Sequence, residues 1–170
     1  MIKVIHHKGM HVNVLGAAQM GSVLPGTTYT QSFTFTESSR YSLGNEDQGD
    51  WNKLFGIAAH TLDSERNSYR WAWRYDDVKD RYYVVPFIHK NDGTWYTLDP
   101  VEIYEHYPYV FSISTSGVFK LYIHDKLFRA KQLLIQQVAH TSLPFRLWYR
   151  KMTSYFGGNR TPDKTVIIHD

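Results

Sequence analysis

Arg70 and Arg74 are the residues of this chain whose type and spacing best suit a binding chemistry. A guanidinium is a planar fork of donors that fits carboxylate and phosphate, so two on one surface suggest an anion site or an acidic-glycan site. His60 precedes them, and Tyr83, His89 and Arg150 are candidates for neighbouring strands. Trp95, beside the turn signal Asp92-Gly93, offers a ring for the apolar face of a pyranose, as do Trp51, Tyr96 and Trp148. The expected glycan- or anion-binding set is therefore Arg70, Arg74, Trp95, Arg150 and His60. A plainer alternative pairs the arginines with Asp76, Asp77 or Asp80 on a solvated sheet surface. The residues alone favour that alternative.

The element that positions the arginines is legible from alternation. Over 68–75 an extended strand sends Tyr69, Trp71, Trp73 and Tyr75 to one side and Ser68, Arg70, Ala72 and Arg74 to the other. Four aromatics on one face represent about 10 kcal/mol of burial, so that face is a core and the strand is central in its sheet. The arginines then lie on the opposite face, about 13 Å apart by strand rise.

The rest of the chain also favours strands. Aromatics make up 16% of 170 residues, and they fall with Thr, Val and Ile in short alternating runs. Phe33 and Phe35 alternate inward, 53–58 is a short apolar run, and 82–89 holds Pro86, which demands an edge or a bulge. The segment 90–93 is a tight hairpin turn, and 115–117 joins a second hairpin. The segment 127–139 fits a helix or a strand, with the strand preferred. Regular short strands without a repeat or a long helix give an all-β antiparallel β-sandwich over 31–170, preceded by an arm or peripheral strand over 1–30.

With no cysteine, the chain has no disulfide staple and no cysteine chemistry. There is no P-loop, dinucleotide fingerprint, nucleophile elbow or zinc-protease helix. No cofactor is expected. His6, His7 and His11 lack a carboxylate at ligand spacing, and the oxygen-rich loop 45–50 does not follow an EF-hand pattern, so no metal is expected either. The first residues lack a secretory h-region and no apolar run has membrane-span length, so synthesis in the cytoplasm without a membrane span is expected. The net charge of +3 conceals a basic segment over 118–161, where Asp125 is the only acid. That segment invites an anionic partner, and in the absence of a recognition motif specific nucleic-acid binding is not expected.

Three segments carry a resemblance: Lys53-Leu54-Phe55-Gly56, the strand from Asn67 to Arg74, and Tyr155-Phe156-Gly157-Gly158-Asn159 followed by Thr161-Pro162-Asp163. In order and spacing they resemble concanavalin-like jelly-roll proteins of Bacteroidetes and their phages. Ser154 stands where that group usually has proline, and 128–144 is longer and more basic. The resemblance implies a laminin-G-like and lectin-like sandwich, shared with alginate-lyase-type enzymes, that often uses a concave sheet as a glycan platform.

In the lyases of that fold, an arginine neutralises a uronate carboxylate while a tyrosine or histidine takes the α-proton. Their Gln-x-His strand is missing here, and Tyr155-Phe156-Gly157-Gly158 lacks their lysine and second tyrosine. The expectation is therefore a non-catalytic interaction module, a capsid or tail decoration protein of a phage virion that contacts other virion proteins or host glycans. The alternatives are a secreted or cell-surface carbohydrate-binding protein of a polysaccharide-using bacterium and a lyase acting on uronate glycans.

Overall fold

The computed structural model describes residues 2–7, 21–59, 65–125, 130–152, 154–157, 162 and 164–169. They form an all-β sandwich of two antiparallel sheets. The strands are β1 (Ile2–His7), β2 (Ser22–Val23), β3 (Thr28–Thr34), β4 (Asn52–Ala58), β5 (Ser68–Asp76), β6 (Arg81–His89) and β7 (Trp95–Thr97). They continue as β8 (Val101–Ile103), β9 (Pro108–Ser114), β10 (Val118–Asp125), β11 (Ala130–Val138), β12 (Tyr149–Met152) and β13 (Lys164–His169). The first sheet runs β1-β13-β3-β9-β10-β11 and the second β2-β12-β4-β5-β6-β7, with β8 also paired to β6. The ambiguous 127–139 segment contains strand β11. Pairing of β3 with β9 already includes Thr28 and Tyr29, opposite Ser114 and Ile113. No helix among the described residues is long and apolar enough to cross a membrane.

β5 is central, and its four aromatics point into the space between the sheets, where all four are buried. Trp71 meets Phe111 and Phe119 of the first sheet edge-on, at ring separations of 5.2 and 5.6 Å. Its indole Nε1 donates to the backbone oxygen of Ser112 at 3.0 Å, so one side chain both packs and hydrogen-bonds the layers together. Trp73 packs with Phe35, Tyr41 and Phe156. At one end of the sandwich Arg40 grips Glu105 through two hydrogen bonds, and the Tyr82 hydroxyl donates to the same carboxylate. This pairing draws the Glu105 carboxyl below its ordinary range, with the Arg40 hydrogen bond the larger cause.

Pro86 occupies neither a free edge nor a bulge. It sits inside β6, opposite Trp71 of β5. On the other side of β6, β7 pairs with 87–89 and β8 with 82–84, which leaves a break between them. The Pro86 oxygen accepts from Leu98 N on that side, so the missing N–H faces the break, where no strand needs it.

Truncating the cross-sheet indole, Trp71→Ala, is expected to cost about 3–5 kcal/mol, whereas Val78→Ala should stay within about 0.5 kcal/mol. Val78 lies in the β5–β6 turn at 91% exposure. Urea midpoints of the two variants measure the difference.

Candidate functional site

Strand register assembles the outer face of the second sheet. Across the strands, Arg150 lies beside Ala58, Ser68, His89 and Trp95 in one row, and Met152 beside Gly56, Arg70, Phe87 and Thr97 in the next. A third row runs from Tyr155 through Lys53 to Ala72 and Val85, and a fourth from Arg74 to Tyr83 and Glu102. Of the expected set, Arg70, Arg74, Trp95 and Arg150 share this face. His60 lies outside the described residues.

The face has an apolar floor of its own. Ala72, Val85 and Phe87 are buried, with Trp51 packed against them. Trp95 stacks on Phe87 at 4.9 Å and 24°, and is itself 58% exposed, so one ring face rests on the floor and much of the other meets solvent. Lys53 Nζ stands 4.1 Å over the Phe87 ring and donates to Trp51 O at 2.7 Å. Arg74 lies 4.6 Å over Trp51 and 5.8 Å from the Tyr83 ring, and gives Gly49 O a long hydrogen bond of 3.3 Å. Lys53 and Phe87 were missed in the sequence. The segment containing Lys53 reads as a plain apolar strand until a register shift between Lys53 and Phe55 turns the lysine outward.

Arg70 is neither tied to an acid nor exposed. Only 7% of it is accessible, its Nε is buried without an acceptor, and no described residue takes a hydrogen bond or ion pair from its guanidinium. The acids expected to pair with it sit at the β5–β6 turn and are engaged there. Asp76 holds Lys79, Asp77 accepts from Ser42, and Asp80 takes Arg40 and the Tyr75 hydroxyl. Burial lowers the Arg70 pKa to about 10, and Arg150 adds to this by repulsion, while Glu65 opposes it. The Nε atoms of Arg150 and Arg74 are also buried without an acceptor. Lys53 is pushed down to about 8, first by burial and then by Arg70. Cations thus converge here with less compensation than burial requires.

Gly56 makes room for the arginine. A Cβ at this position would stand 2.4 Å from Tyr69 O and 2.7 Å from Arg70 Cγ.

The remaining candidates are placed elsewhere. Tyr96 spends its hydroxyl on His140 N and Thr141 N, and Trp148 lies in the segment before β12. The 45–50 loop is a short 3₁₀ turn in which Gln48 bonds Leu43, Tyr41 and Tyr75. His11 lies outside the described residues. The basic segment is divided between the sheets: Arg150 is on this face, while Lys120 and Lys131 line a trough of about 500 Å³ on the outer side of the first sheet, with Thr30, Ser112 and Tyr122. No family model matches the chain, and neither does any curated protein.

Gly56→Ala is expected to lower stability by about 1–3 kcal/mol, measured by chemical denaturation. Lys53→Met should raise stability at pH 7 by about 1–2 kcal/mol. Because the folded pKa of Lys53, about 8, lies below its ordinary 10.5, the unfolded chain binds more protons between those values. The penalty is therefore full below about pH 8 and is relieved as pH rises toward 10.5, so the gap between variant and parent should close over that window.

Proposed function

We propose that this chain is a non-catalytic β-sandwich binding module whose arginine face takes an acidic polysaccharide. The observation that carries this reading is the buried Arg70 guanidinium, which lacks an acceptor among the described residues and lies in one cationic cluster with Arg150 and Lys53. A carboxylate or sulfate arriving there supplies the missing counter-charge in a poorly solvated setting, where charge-assisted hydrogen bonds are strongest. The Trp95–Phe87 stack on the same face gives the sugar ring an apolar surface. Together the two features favour an anionic glycan over a bare anion. The phage-virion setting follows from the resemblance alone. There the module decorates a capsid or tail and meets the host's surface glycans.

The test is calorimetric titration with uronate and sulfated oligosaccharides against neutral ones. The acidic ligands should bind and the neutral ones should not. Arg70→Met should weaken binding about 10- to 100-fold, and Trp95→Ala by about tenfold or more. Arg70→Met should also raise the unfolding midpoint, since it removes a buried charge that lacks a partner. An anion stabilises protonated Lys53, so affinity should be flat below about pH 8 and fall above it, with proton uptake on binding. Equal binding by parent and both variants would sink the reading. Release of an unsaturated product, seen by ultraviolet absorbance, would establish the lyase instead.

A further inference from the structure

We infer that the Lys53 amine is a carbon dioxide site, carboxylated to a carbamate that gives Arg70 the anionic partner it otherwise lacks among the described residues. Carboxylation needs an amine that is reachable, partly desolvated and set beside other cations. Lys53 meets each condition through its place in the sheet. It pairs with Ala72 of β5, whose short side chain lets the lysine pass across it. The amine comes to rest 4.1 Å over the ring of Phe87 on β6, and the β5 residue opposite Phe87 is Arg70. The amine therefore stands against the strand position that carries the buried guanidinium. Lys53 itself is only half-buried, so a small neutral molecule can reach it.

The step balances with carbon dioxide as the only co-reactant. The lone pair of the neutral amine forms a bond to the carbon of carbon dioxide, and one C=O π pair moves onto oxygen. One N–H proton then passes to water, and nothing is oxidised or reduced. The nitrogen keeps one hydrogen, which can retain the 2.7 Å bond now donated to Trp51 O. The new carboxylate brings two acceptor oxygens and a negative charge, the partner that a guanidinium fork fits best. Arg70 is 7% accessible with its Nε unpaired, and the Nε of Arg150 is unpaired as well. A free anion must shed its water shell and be held in place, whereas a carbamate is tethered where the charge is missing.

Charged and titratable groups surround the amine from several elements. Arg70 and Arg74 stand on β5, His89 lies against Phe87 on β6, Arg150 is on β12, and Tyr155 pairs with Lys53 itself. Asp50 and Glu65 favour the protonated amine, but burial first and Arg70 second outweigh them. The carbamate draws on the same cations as the proposed glycan site and competes with a glycan anion for Arg70. Its formation needs no glycan, so either reading can fail without the other.

The test is carbon-13 NMR of the full chain in labelled bicarbonate, with no glycan present. A carbamate resonance distinct from those of bicarbonate and dissolved carbon dioxide should appear. It should vanish in Lys53→Met, which leaves every other amine of the chain in place. Arg70→Met should lower its occupancy by about tenfold or more, with near-ultraviolet circular dichroism showing that both variants are folded. At low occupancy and fixed dissolved carbon dioxide, each carbamate formed releases two protons below the pKa of the amine and one above it. Occupancy should therefore climb steeply up to about pH 8 and more gently beyond, whereas an ordinary lysine stays on the steep slope up to 10.5. Bicarbonate at constant pH and ionic strength should also raise the urea midpoint of the parent but not of Lys53→Met. The absence of a Lys53-dependent resonance, a resonance indifferent to Arg70, a slope that stays steep to 10.5, or equal midpoint shifts in parent and Lys53→Met would each overturn the inference.

Discussion

The packing of Trp71 against the first sheet, with Trp73 buried beside it on the same strand, is the constraint from which the other features follow. An indole buried between two layers fixes their separation, and the Trp71 bond to Ser112 O fixes their relative offset. Once the odd-numbered side chains of β5 are committed inward, alternation leaves Ser68, Arg70, Ala72 and Arg74 no choice but the outer face. The arginines are where they are because the tryptophans cannot be anywhere else.

That outer face is unusual in being buried itself. Ala72, Val85 and Phe87 form a floor, and Lys53, Arg74 and Trp51 lie across it. Long cationic side chains can cover apolar surface with their stems while their charged ends stay near water. Here several guanidinium nitrogens are drawn in with the stems, which raises the electrostatic cost and depresses Arg70 and Lys53 together. Such an arrangement costs stability in the free protein, and a counter-charge offsets that cost.

How much of this was legible in the sequence depended on the range of the interaction. Alternation over 68–75 revealed the strand and both its faces, and Asp92-Gly93 and Ser116-Gly117 revealed their turns, because those signals are local. Arg150 beside Arg70, far apart in the chain, depends on β12 pairing with β4. The outward turn of Lys53 depends on a register shift that its neighbours in the chain do not announce. Pairing with Asp76, Asp77 and Asp80 looked reasonable by proximity in sequence. It failed because those acids sit at the strand's last residue and in the turn after it, where nearby groups engage them. Pro86 illustrates the same limit: its neighbour on one side is two short strands with a gap, which composition does not reveal.

The break at Pro86 reaches beyond strand pairing. It divides the far margin of the second sheet into two three-residue steps, and the near margin ends in the two residues of β2. Among the described residues, neither margin offers a ladder long enough to recruit an incoming strand. Whatever settles on this face must therefore be held by side chains, and side chains can be exchanged one at a time without disturbing the backbone that displays them. The second sheet is thereby a surface whose preferences can be rewritten by point substitution while the architecture beneath it stays the same.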